Sequence, residues 1–228
     1  MARRAVLAFA LVWAIGLVVV LWRAGADERP VAFSLGGAPV RPVAMLDPGH
    51  EVCQAPITLQ VDASGVTFFA GAKASPGMPL ELTVRDADVA GGRPLATRQT
   101  PGGYPDHATR TVRFPTLRAG RAITVCIRNR GGGTAYPYGD DQVPGTGTVV
   151  DGRRGPIDIT LRFLRQRPRS ALSLVPTMFR RASLFRFGFV GAWTFWALAA
   201  ALALAVPLLC AFALARAARE AEAPGDAS

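Results

Sequence analysis

The chain has 228 residues, half of them hydrophobic, with 26 Lys or Arg against 16 Asp or Glu and a formal net charge of +10. Setting aside two long apolar ends leaves about 140 residues, enough for one domain with its own core and too few for two. Between residues 27 and 161 fourteen basic residues meet thirteen acidic ones, so the excess charge sits at the ends, beside apolar segments. That placement argues against a nucleic-acid-binding domain, which would carry its excess on the folded part, and points to anionic lipid head groups instead.

Ala5 to Trp22 is an 18-residue run without a charge, preceded by Arg3 and Arg4. At about 1.5 Å per residue it spans about 27 Å, sufficient for a hydrocarbon core. Residues 1–26 therefore read as a retained transmembrane anchor. A cleaved export signal is the competing reading, because Ala24-Gly25-Ala26 fits the small-x-small cleavage pattern. Residues 27–49 hold Pro30, Pro39, Pro42 and Pro48 and read as an extended lead-in, with one edge strand over 40–46.

Residues 50–165 carry strand-like runs at the spacing of an all-β sandwich: 53–61, 66–72, 80–86, 94–99, 109–114, 122–129 and 157–164. Leu80, Leu82 and Val84 alternate with Glu81, Thr83 and Arg85, the pattern of a strand with one face buried. Ile123, Val125 and Ile127 alternate with Thr124, Cys126 and Arg128 in the same way. Cys126 has one partner outside the apolar ends, Cys53, and a disulfide between them is expected in an exported domain.

Residues 166–186 read as an amphipathic basic segment in the membrane interface, with Pro176 in the first turn of a helix. Arg165, Arg167, Arg169, Arg180, Arg181 and Arg186 are the candidate lipid head-group contacts. Residues 187–215 form 29 positions without a charge, a second transmembrane helix with Trp193 and Trp196 near its start. The tail, 216–228, reads as disordered and cytoplasmic.

Arg3, Arg4, Arg216 and Arg219 favour both termini inside, whereas seven arginines from Arg162 to Arg186 would then lie outside, against the positive-inside rule. The cysteine pair tips the expectation towards a domain on the extracytoplasmic side of a bacterial plasma membrane. A single lysine among many arginines, in an Ala-, Gly- and Pro-rich chain, has the bias of a GC-rich bacterial genome.

Catalytic motifs are absent from the sequence: no Gly-x-Ser-x-Gly elbow, no His-Glu-x-x-His helix and no phosphate loop. We therefore expect no enzyme activity, no cofactor and no resident metal. Two loops stand out, 101–107 and 133–141, because both set tyrosines beside prolines and carboxylates. Tyr104, Asp106, Tyr136, Tyr138, Asp140 and Asp141 offer flat rings beside hydrogen-bond acceptors, the combination a pyranose needs. Asp140 and Asp141 alternatively suit a shared Ca²⁺, and Tyr-Pro and Gly-Asp are also ordinary turn formers.

The run 80–100, the Gly-Gly-Tyr loop, and Phe114-Pro-Thr-Leu-Arg-Ala-Gly-Arg-Ala-Ile-Thr-Val-Cys-Ile-Arg-Asn129 resemble the closing strands of carbohydrate-binding-module-like, jelly-roll sandwiches. The resemblance covers about residues 50–164 and implies glycan binding, often with a structural Ca²⁺; no binding residue matches one for one. The expectation is a non-enzymatic, membrane-anchored envelope protein that binds a glycan or supports a glycan-handling partner. The alternative is an assembly subunit that docks another membrane protein through its spans.

Overall fold

The computed structural model describes residues 2–72, 76–87, 92–184 and 191–222. In chain order these form α1 (Ala2–Ala26), β1 (Glu28–Leu35), β2 (Arg41–Pro42), β3 (Glu51–Thr58), β4 (Ala63–Gly71), β5 (Leu80–Asp86), β6 (Pro94–Thr100) and β7 (Ala108–Leu117). They continue with β8 (Ala122–Asn129), β9 (Tyr136–Asp140), β10 (Gly147–Val150), β11 (Arg153–Arg154), β12 (Asp158–Ile159), β13 (Leu161–Ser170), α2 (Ala171–Ser183) and α3 (Ala192–Glu222). The chain divides into two compact units, a β unit of Pro30–Pro168 and a helical unit of Met1–Arg29 with Arg169–Ser228.

In the β unit the strands make two sheets. The smaller follows the order β11-β10-β3-β8-β5-β6 and the larger β1-β13-β4-β9-β12, with β2 added on β9 and β7 on β4. The β4 strand pairs along its length with β7, and on its other edge first with β13 and then with β9. Alternation does what the sequence pattern requires. Leu80, Leu82, Val84, Ile123, Val125 and Ile127 of the smaller sheet, with Phe68, Leu161 and Phe163 of the larger, form one buried core. Phe33 of β1 stacks on Phe163 with ring centroids 4.6 Å apart. Burying each such side chain contributes about 1.5–3 kcal/mol, so the alternating runs alone bias these segments to their observed faces.

Cys53 and Cys126 are bonded. They stand directly opposite each other on β3 and β8 of the smaller sheet, with Cα atoms 4.0 Å apart, and the bond closes a separation of 73 residues. Because the strands already pair, the bond acts chiefly by restricting the unfolded chain, a contribution of about 4 kcal/mol in the chain-entropy model.

Several expectations need correction. The 133–141 segment is not a loop throughout, since Tyr136–Asp140 is β9 and pairs with β2, β4 and β12. The lead-in contains β1, which sits beside β13. Within the basic segment of 166–186, β13 runs to Ser170 and the amphipathic helix α2 covers Ala171–Ser183, so the helix begins earlier than a first turn at Pro176 implies. Pro176 is thus inside α2 rather than in its first turn, and Ser170 supplies the N-cap by accepting from Ser173 N at 3.2 Å. The tail is helical as far as Glu222, where the Arg216–Glu220 pair at 2.9 Å supports the last turns. Beyond Glu222 it lies outside the described residues.

In the helical unit, Arg4–Ala26 and Ala192–Ala217 are long and apolar enough to cross a membrane. α1 and α3 pack against each other, and α2 packs on both. Residues 187–190, the expected start of the second span, lie outside the described residues.

Candidate functional site

Strand alternation on β9 buries Pro137 and Gly139 and turns Tyr136, Tyr138 and Asp140 to the outer face of the larger sheet. The next strand supplies Phe69, the most exposed position of an otherwise buried β4. Phe68 and Phe69 are neighbours on a strand, so they point to opposite faces: one fills the core and the other lies outside. His107, just before β7, joins the two outer rings. Its imidazole is 5.7 Å from Phe69 and edge-on to Tyr138 at 4.5 Å.

Asp106 ties the loop to the strand. Its Oδ1 accepts from the Tyr138 hydroxyl at 3.0 Å and from the His107 backbone N–H at 3.0 Å. Gly71 makes this possible, because a Cβ there would lie 1.8 Å from Asp106 Oδ1 and 2.8 Å from Tyr138 Cε2. His107 takes a positive φ of 59°, a conformation seldom occupied by residues other than glycine. Its Nε2 meets the Pro39 carbonyl, which only accepts, so Nε2 carries the proton in that bond. Partial burial, and then the Asp106 hydrogen bond and charge, push the Tyr138 phenol up from its ordinary value, so the hydroxyl remains a donor to Asp106 at neutral pH. The Arg162 guanidinium lies 5.1 Å over the Phe69 ring. The result is a half-exposed aromatic surface with one anchored carboxylate at its edge and one cation beside it.

The structure sorts the candidate residues unevenly. Tyr104 does not belong to an exposed patch and is a correction: it is 4% exposed and packs in the core. Gly77 lies so close that a Cβ would fall 2.1 Å from the Tyr104 ring, and Arg110 sits 4.7 Å from the ring centroid. Burial pushes the Tyr104 phenol up to about 12, with Arg110 opposing. Asp106 and Tyr138 are brought together, and Tyr136 and Asp140 share their face. Asp141 follows β9 and lies 3.9 Å from Arg41. Asp140 and Asp141 belong to no group of three converging metal-ligating side chains among the described residues. Phe69 and His107 were missed as partners of the tyrosines. The Phe68-Phe69 pair in an otherwise alternating strand is the signal that one ring must face outward.

Among the lipid candidates, Arg165 is engaged elsewhere, donating to the Val31 and Ala32 carbonyls of β1, which joins that strand to β13. Arg167 and Arg169 are exposed on β13, Arg180 and Arg181 are exposed on α2, and Arg186 lies outside the described residues.

A cleft of about 360 Å³ lies on the smaller sheet, lined by Gly49, His50, Glu51, Cys53, Arg128 and Asp151, among others. His50 Nδ1 is 2.9 Å from Asp151, and Glu51 meets Arg128 at 3.3 Å and Arg85 at 3.7 Å. Glu51, Cys53 and Cys126 place three ligand-type atoms within 4.8 Å. Both sulfurs are committed to their mutual bond, so no thiolate is available to a metal there.

Fold and surface together define a β domain of two antiparallel sheets, with an aromatic-carboxylate outer face, in a chain with two helices long and apolar enough to span a membrane. No family model matches the chain, and no curated protein matches it. Among solved structures it is similar to the module CsCBM6-3 of Clostridium stercorarium, solved with cellobiose, at 11% identity and a TM-score of 0.31 over 56% of this chain and 94% of that one. It is also similar to the infectious bursal disease virus Gt strain structure, at 12% identity and a TM-score of 0.28, over 65% of this chain and 44% of that one. Both likenesses are loose and carry no functional weight.

Proposed function

We propose that the chain is a non-enzymatic, membrane-anchored protein of the bacterial cell envelope whose jelly-roll-like β domain faces the extracytoplasmic side and binds a glycan on the outer face of its larger sheet. The observation that carries the reading is the Asp106–Tyr138 hydrogen bond at 3.0 Å, which fixes an aromatic ring beside an acceptor oxygen on an outer face. A sugar ring needs an apolar plane for its C–H face and a held acceptor for its hydroxyls, and Tyr138, His107 and Asp106 supply both. The disulfide supports an oxidising compartment.

A glycan array probed with the β domain tests the binding. Wild type binds a defined subset of glycans, Tyr138→Ala loses it, and the melting temperature of the variant stays within a few degrees. Binding unchanged in Tyr138→Ala removes the site. Alkaline phosphatase fused after Ser170 should be active and the same reporter after Ser228 inactive; the opposite pattern removes the topology.

A further inference from the structure

We propose that α2 is a docking helix for anionic phospholipid, with its apolar face set among acyl chains and Arg180 and Arg181 on head-group phosphates. At 100° per residue, Leu172, Leu174, Val175, Met178, Phe179 and Ala182 fall within about 160° of the helix circumference. Ser173, Thr177, Arg180 and Arg181 occupy the remainder. None of the residues of α2 is buried. Met178 is 62% exposed and Leu172 44%, and Leu174, Val175 and Phe179 are only partly covered, so a substantial part of the apolar face remains open.

The part that is covered says where the helix sits. Phe179 packs on Phe195 at 5.6 Å and edge-on to Trp196 at 5.0 Å. Those rings are the fourth and fifth residues of α3, about 6 Å along the axis from its start at 1.5 Å per residue. An aromatic cluster at the first turn of an apolar span belongs at the boundary between hydrocarbon and head groups. α2 is therefore held at the depth where an amphipathic helix partitions.

Charge identifies the occupant. From residue 159 to 219 there is no Asp or Glu, while nine arginines stand in that stretch. Among the described residues neither Arg180 nor Arg181 makes an ion pair. Their place in the last turn suits the helix carbonyls, but leaves the guanidinium forks without an acid. A planar fork next to an apolar face matches a phosphodiester at the top of an acyl chain. An acidic protein partner would answer the arginines but not the partly open apolar face at the mouth of a span.

The full chain, inserted in nanodiscs of phosphatidylcholine with graded phosphatidylglycerol, tests the assignment by native mass spectrometry of retained lipid. Wild type should prefer phosphatidylglycerol, and Arg180→Gln/Arg181→Gln should weaken that binding about 30-fold, at about 1 kcal/mol per arginine near the surface. Arg180→Lys/Arg181→Lys should keep most of it, and 10 mM inorganic phosphate should not displace the lipid. The proposal is overturned if the Gln variant retains the wild-type preference, if phosphatidylcholine binds equally well, or if inorganic phosphate competes. Should the double variant fail to insert, Arg181→Gln alone should show about a five-fold loss, and no loss overturns the proposal equally. None of these outcomes bears on the glycan site, which lies in the other unit.

Discussion

The two sheets bury the same kind of face and present very different ones. Outside the smaller sheet lie the disulfide and a row of paired charges: Glu51 between Arg85 and Arg128, and Glu81 bonded to Arg130 at 2.8 Å. Outside the larger sheet lie Phe69, His107 and Tyr138, held by Asp106. The first face is closed by its own partners, since Glu51 and Glu81 already have guanidinium groups, Asp151 has His50, and both sulfurs are spent. On the second, the rings are ordered by a single carboxylate and retain exposed area. One face therefore reads as structural reinforcement and the other as a place for something else to rest.

Removing the bond on the smaller sheet should have the largest effect. Cys53→Ala/Cys126→Ala loses about 4 kcal/mol, a drop of about 15 °C in the thermal midpoint of the β unit by calorimetry. A drop of only a few degrees would mean that the strand ladder alone reinforces that face.

On the larger sheet, Gly71→Ala forces Asp106 and Tyr138 aside, because the added methyl would overlap the carboxylate oxygen. Overpacking of this kind costs about 1–3 kcal/mol, and glycan binding should fall with it. An unchanged melting curve together with unchanged binding would show that Asp106 does not need its position over β4.

The paired charges give a smaller and pH-dependent signal. The Arg130 hydrogen bond holds the Glu81 carboxyl below its ordinary value of 4.5. A carboxyl lowered in the folded state stabilises at pH values above its unfolded pKa, and that contribution fades as pH falls through the folded value. Denaturant titrations at pH 6 and pH 3 should therefore differ less for Glu81→Gln than for wild type, by no more than the ~1 kcal/mol typical of such pairs. An identical pH dependence in both proteins would remove the pair from the account.

The smallest effect separates the two tyrosines. The Tyr104 hydroxyl is buried without a partner among the described residues, so Tyr104→Phe should be neutral or stabilise by up to about 1 kcal/mol, with glycan binding intact. Tyr138→Phe loses its bond to Asp106 and should cost about 1 kcal/mol and weaken binding. A destabilised Tyr104→Phe with impaired binding would place Tyr104 in the site after all.

The sequence by itself determined the elements whose cause is local. Two charge-free runs of 18 and 29 residues, the period-two alternation of Leu80–Val84 and Ile123–Ile127, and two cysteines in a domain with no others were enough for the two long apolar helices, the main strands and the bond. The tertiary structure alone decided which rings face outward. Tyr104 and Tyr138 sit beside similar Pro, Gly and Asp neighbours, yet Gly77 and Arg110 enclose one while β9 pairing turns the other to the outer face. The break between β13 and α2 was equally hidden, because β13 continues as a strand to Ser170 in its place beside β1, and Ser170 then caps a helix that the local pattern, with Pro176 in the first turn, would have begun later. Pairing partners distant in sequence set both outcomes, and no local window contains them.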